Sequence, residues 1–132
     1  MTEYKRVALF VGRFSPFHSG HKYIVDVALN QGKKVCIGIR DTPLSDADPY
    51  TYEQRVEMIK GIYGNKVDII KLPDIESINI GRGVGYEVNY IDAPKDIQGI
   101  SATEIRKRMK NNDPSWKQFV PKEVAEYLEE RK

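Results

Sequence analysis

A chain of 132 residues suffices for one compact domain, is short for two, and can bury a core without disulfides or metal staples. Its 40% apolar and 30% charged residues are those of a globular protein, and 21 Lys+Arg against 19 Asp+Glu leave a formal charge of +2. That balance excludes a disordered polyelectrolyte and a strongly cationic nucleic-acid coat, so no nucleic-acid partner is expected. The single cysteine, Cys36, cannot close an internal disulfide. No run approaches the ~20 apolar residues of a membrane span, and the first residues do not read as a signal peptide. The expectation is one domain over residues 1–132, in the cytoplasm and without a membrane partner.

In chain order, Val7 to Val11 is a continuous apolar run that suits a strand buried on both faces, ended by Gly12 and Pro16. From Ser19 or Gly20 to about Asn30, Tyr23, Ile24, Val27 and Ala28 follow helical spacing. Val35 to Ile39 reads as a second buried strand, so the first 39 residues form a βαβ unit with parallel pairing and a right-handed crossover. Arg40 to Tyr50 is a polar loop with three aspartates and two prolines. Thr51 and Gln54 have capping-box spacing, and Val56, Ile59 and Ile62 give the next helix its apolar face. Val67 to Leu72 is a third strand, and Ser77 to Ile80 and Glu87 to Ile91 are shorter candidates around the irregular Gly81-Arg82-Gly83-Val84-Gly85. Ser101 opens a helix to about Lys110 with Ser-x-x-Glu capping spacing, and Pro121 begins a last helix. The pattern predicts an α/β fold: an open, Rossmann-like parallel sheet of about five strands with helices on both faces.

In such a sheet ligands bind beyond the carboxyl ends of the strands, and the segment from Gly12 to His21 lies there. The only two histidines, His18 and His21, fall three residues apart at a helix N-terminus, where free N–H groups and the macrodipole favour an anion. With Arg13 beside them, and with Gly12 and Gly20 permitting close backbone approach, they describe a phosphate site. The plainer reading makes His18 a helix cap and His21 a half-buried surface residue. Zinc would need further ligands, and Cys36 falls inside a predicted core strand.

The run Gly12-Arg13-Phe14-Ser15-Pro16-Phe17-His18-Ser19-Gly20-His21 resembles the first signature of the nucleotidyltransferase superfamily, a Gly-x-Phe followed by His-x-Gly-His. Ile100-Ser101-Ala102-Thr103-Glu104-Ile105-Arg106 is similar to its second signature, and Glu53 to Ile59 to its Glu-x-Arg-x-x-Met-Ile helix. The resemblance implies that an acceptor phosphate oxygen attacks the α-phosphorus of a nucleoside triphosphate carried with Mg²⁺, releasing pyrophosphate. It implies that His18, His21 and Arg13 serve the reaction, and that Gly12, Phe14, Ser15, Gly20, Ser101, Thr103 and Arg106 bind the nucleotide. Ser101 reads equally as an N-cap, and Lys107, Arg108 and Lys110 as a solvated face. Arg82 is either a base or acceptor contact or part of a surface turn.

Gly-Arg-Phe-x-Pro-Phe-His and Trp116 to Pro121 resemble the archaeal-type nicotinamide-nucleotide adenylyltransferases, which points to ATP and to an acceptor such as nicotinamide mononucleotide. Thr51 to Arg55 and Gln98 to Ser101 are similar to the cytidylyltransferase pattern, whose implied substrates are CTP and glycerol 3-phosphate. Ser15 stands where those enzymes carry Asp. A non-catalytic nucleotide-binding regulatory domain is the alternative of another class, and assembly into a homo-oligomer stays open.

Overall fold

The computed structural model describes residues 6–46, 48–81 and 87–130. Strand β1 (Ala8–Gly12), helix α1 (Ser19–Asn30), strand β2 (Val35–Arg40), helix α2 (Tyr52–Tyr63) and strand β3 (Val67–Leu72) follow one another, a 3₁₀ turn at Gly64–Lys66 leading into β3. A short α3 (Lys95–Gln98), then α4 (Ala102–Lys110), a 3₁₀ segment (Pro114–Phe119) and α5 (Lys122–Glu130) complete the described elements. The two 3₁₀ segments and α3 are too short to leave a periodic signal in the sequence.

The sheet is parallel, in the order β1-β2-β3, with Ala8 opposite Val35 and Val35 opposite Val67. The open parallel α/β class agrees with the sequence pattern. Two features depart from it. Among the described residues the sheet has three strands, and Ser77–Ile80 and 87–91 run without strand structure. Their short apolar alternations carry β-propensity, but a strand also needs a partner.

The second departure concerns the faces of the sheet. Val35, Ile37 and Ile39 on one side of β2 join Val67 in a single core cluster. Val25 and Ala28 of α1, Met58, Ile59 and Tyr63 of α2, Ile105 of α4, and Val124 and Leu128 of α5 all enter that same cluster. The longer helices therefore gather over one face, where the sequence pattern placed helices over both. The strand order explains this: two right-handed crossovers that step in the same direction deliver α1 and α2 to one side. On the other side Leu9 and Ile70 remain 54% and 42% exposed. The middle of β2 is covered there by side chains of its neighbours, because Gly38 leaves room for Leu72, whose Cδ1 lies 2.6 Å from where a Cβ would stand.

Local signals set the helix ends. Thr51 and Gln54 form the full capping box, Oγ1 accepting from the Gln54 N–H at 3.1 Å and Oε1 accepting from the Thr51 N–H at 2.7 Å. At α4 only half of the expected box forms. Ser101 Oγ accepts from the Glu104 N–H at 3.1 Å, while the Glu104 carboxylate turns to Arg108 at 3.2 Å. The i,i+4 ion pair draws Glu104 away from the cap.

Ile37 is fully buried at the centre of the cluster. Ile37→Ala should lower unfolding free energy by roughly 2–5 kcal/mol in a denaturant titration. Leu9→Ala, on the open face, should cost less than about 1 kcal/mol.

Candidate active site

The site begins where β1 ends. Phe14 takes a positive φ of 55°, a region that costs a bulky residue of order 1–3 kcal/mol. Packing holds it there: the ring is 3% exposed, 5.6 Å from Phe17 and edge-on to His21 at 4.8 Å between centroids. Gly12 accommodates this turn, since a Cβ would stand 3.0 Å from the Phe14 ring. Phe14 thus forms the floor beneath the histidines rather than an exposed surface for a ligand.

His18 and His21 cap α1 reciprocally. His18 Nδ1 accepts from the Gly20 N–H at 3.0 Å, and His21 Nδ1 accepts from the His18 N–H at 3.1 Å. An imidazole whose Nδ1 accepts carries its proton on Nε2, so the hydrogen-bond pattern assigns both rings as neutral Nε2–H donors. The rings are stacked, 3.7 Å apart and 20° from parallel. Burial lowers the pKa of His18 to about 4; burial, and then the adjacent His18, lower that of His21 to about 3. Gly20 leaves space for the cap, because a Cβ there would stand 2.9 Å from His18 Cε1.

Helix α4 meets this loop through Arg106. Its guanidinium donates to the Ser15 carbonyl at 2.5 Å and to Thr103 Oγ1 at 3.4 Å. The structure therefore brings Arg106, Thr103 and Ser15 together, with Ser101 capping the same helix one turn earlier. Ser15 is 2% exposed and its Oγ has no partner among the described residues. Arg13 is exposed and close enough for its charge to bear on Arg106. Arg82 lies outside the described residues.

Two residues escape a reading of the sequence. Arg55 is fully buried, and its guanidinium donates to the carbonyls of Arg13 at 2.9 Å, Arg40 at 2.8 Å and Thr51 at 3.2 Å. It ties the carboxyl ends of β1 and β2 to the start of α2. Its place in the Glu-x-Arg pattern was the available signal, but the carbonyls of Arg13 and Arg40 are distant in sequence. Asp48 is 2% exposed, and neither carboxylate oxygen has a hydrogen-bond partner among the described residues. Nearby, Asp46, Pro49, Tyr50, Arg106, Met109 and Lys110 line an open cavity of about 230 Å³. Lys110, which reads as part of a solvated face, stands at the rim of that cavity.

An anion-ready loop at the carboxyl end of a parallel strand, with neutral N–H donors and arginines around it, defines a phosphate-handling α/β protein. Residues 9–88 match the family model described as cytidylyltransferase-like. The nicotinamide-nucleotide adenylyltransferase of Thermococcus sibiricus is 35% identical over 160 aligned positions, covering 94% of this chain and 83% of that protein. The enzyme of the same name from Methanocorpusculum labreanum is 29% identical, covering 95% of this chain and 91% of that protein. The chain belongs to the cytidylyltransferase-like family of nucleotidyltransferases. Because the alignment takes in 94% of its 132 residues, about 36 of the 160 positions aligned with the Thermococcus protein have no counterpart in it. Among solved structures, a bifunctional NMN adenylyltransferase/ADP ribose pyrophosphatase from Francisella tularensis is 38% identical, with 54% of this chain and 23% of that one covered and a TM-score of 0.46. The same protein complexed with AMP and Mn ion gives 32% identity, coverages of 53% and 22%, and a TM-score of 0.42. No described helix is long and apolar enough to cross a membrane.

The lowered histidine pKa values link stability to pH. The folded groups titrate at about 4 and 3, below the unfolded value of 6.5, so the unfolded chain binds more protons between those limits. Their contribution to stability is fully present above about pH 6.5 and is lost as pH falls toward 3. Denaturant midpoints should fall from pH 7 to pH 4 in the wild type, and this slope should shrink in the His18→Gln/His21→Gln double variant. Gly20→Ala should displace the His18 ring, weaken the cap by about 1 kcal/mol in a denaturant titration at pH 7, and lower kcat roughly tenfold or more.

Proposed function

We propose that this protein is an adenylyltransferase that joins the adenylyl group of ATP to a phosphate-bearing acceptor, nicotinamide mononucleotide, and releases pyrophosphate. The observation that carries this reading is the reciprocally capped histidine pair: two neutral Nε2–H donors at a helix N-terminus, in a chain similar to adenylyltransferases over most of its length. Neutral donors suit a reaction in which charge develops on phosphoryl oxygens, because pre-oriented hydrogen bonds stabilise that charge without reorganisation.

An acceptor phosphate oxygen attacks the α-phosphorus as the α–β bridge breaks, and the electron pair leaves with pyrophosphate. His18 and His21 donate to oxygens around the transferring phosphorus. Ser101, Thr103 and the first amides of α4 receive the triphosphate, with Arg106 and Arg13 supplying positive charge. Gly12 and Gly20 allow the loop backbone to come close, and Ser15 Oγ, without a hydrogen-bond partner among the described residues, is a polar atom beside it. Neither imidazole offers a lone pair for nucleophilic attack, since each Nδ1 accepts from backbone and each Nε2 bears hydrogen. The transfer is therefore a single displacement.

Mg²⁺ fits this arrangement as a partner of the nucleotide. Apart from Ser15 Oγ, the side chains described at the loop are N–H donors and cations, so the ion would be held through the phosphates that His18, His21 and Arg106 would bind. Bound there, it would neutralise phosphate charge.

The family model leaves CTP with glycerol 3-phosphate as the second reading. Pyrophosphate release measured with each triphosphate and each acceptor separates the two: ATP with nicotinamide mononucleotide should turn over, and turnover with CTP alone would contradict the proposal. Tight triphosphate binding without turnover on any acceptor would instead favour a regulatory nucleotide-binding domain. His21→Ala should lower kcat by about 10²–10³ while the Kd for ATP changes only a few-fold. An ATP analogue chiral at the α-phosphorus should react with inversion; retention would require a covalent intermediate.

A further inference from the structure

Asp48 is the one carboxylate buried among the described residues. Its oxygens have no hydrogen-bond partner there, although a buried carboxylate ordinarily acquires one. It belongs to the loop whose Asp46, Pro49 and Tyr50 wall the cavity that opens on Arg106 and Lys110. Its carboxylate is close enough to Arg106 to favour the charged guanidinium, against the opposing influences of burial and of the neighbouring Arg13. Arg106 itself is fixed by its bond to the Ser15 carbonyl, and Arg55 by its bonds to the carbonyls of Arg13 and Arg40. The cations are thus held in place by backbone oxygens, and Asp48 contributes negative charge without ligating any of them.

We infer that Asp48 is a positioning residue of the phosphate site, a fixed counter-charge that limits how tightly the Arg13–Arg106 cluster holds anions and so lets pyrophosphate leave. This rests on the nucleotide-binding reading above. An acidic group beside a triphosphate site opposes binding through space, and burial makes the effect less susceptible to screening by salt. The cost falls on substrate and product alike, but only the product must depart for turnover to continue.

The sign of the effect separates this role from a structural one. Calorimetric titration of the folded protein with inorganic pyrophosphate, and separately with ATP, should show Asp48→Asn binding both at least about tenfold tighter than wild type, the least that one charge acting over about 10 Å at an effective dielectric constant near 20 would give. Asp48→Glu should restore the wild-type values, and Asp46→Asn, in the same loop, should shift them less than twofold. A loosened site would bind more weakly, so unchanged or weakened binding by a folded Asp48→Asn protein would overturn the inference. Should that variant fail to unfold cooperatively, Asp48→Ser reads the same quantity. If the wild type itself binds neither ATP nor pyrophosphate, the proposed function fails; if it binds both and the neutral variants do not tighten, only the role of Asp48 fails.

Discussion

The reciprocal cap between His18 and His21 is the constraint on which the site depends. Two backbone N–H groups at the start of α1 would otherwise lack partners, and the two imidazoles satisfy them through Nδ1. That local bond decides distant chemistry. It fixes each ring's orientation and tautomer, leaves each Nε2–H free to donate, and makes the pair neutral before any ligand arrives. Ring stacking at 3.7 Å reinforces the result, since two adjacent imidazolium ions would repel one another. Phe14 and Phe17 complete it by packing against His21, at centroid separations of 4.8 and 5.4 Å, which removes water from the ring.

Around this cap the fold supplies positive charge with little mobility. Arg55 holds carbonyls at the ends of β1 and β2, and Arg106 holds the carbonyl of Ser15, so the segments that converge on the site are joined by guanidinium groups. Backbone carbonyls accept from these cations without neutralising them. The site consequently keeps a positive potential, which an arriving triphosphate would meet before contact. The small formal charge of the whole chain is compatible with this, because a few local donors suffice for one small ligand.

Much of the scaffold was legible in the sequence because its determinants are local. β3 spans Val67–Leu72 as read, β1 shifts by one residue, and the caps at Thr51 and Ser101 lie where their residue types place them. What was not legible is non-local. Helices over a single face follow from the order β1-β2-β3, which no periodicity encodes. Asp48 and Arg55 look like ordinary charged residues of a loop and a helix until tertiary packing buries them. The burial of Phe14, 3% exposed and packed against His21, likewise depends on tertiary contacts. The histidine pair was legible as a capped helix start, and capping is what turns the rings into the donors that the proposed phosphate site calls for.

The most direct test of this account is the nitrogen spectrum of the two histidines at neutral pH in the nucleotide-free protein, read by long-range ¹H–¹⁵N correlation. Both rings should show a protonated Nε2 and an unprotonated, hydrogen-bonded Nδ1, unchanged from pH 7.5 down to about pH 5. A ring protonated on Nδ1, or an imidazolium titrating near 6.5, would contradict the neutral-donor pair.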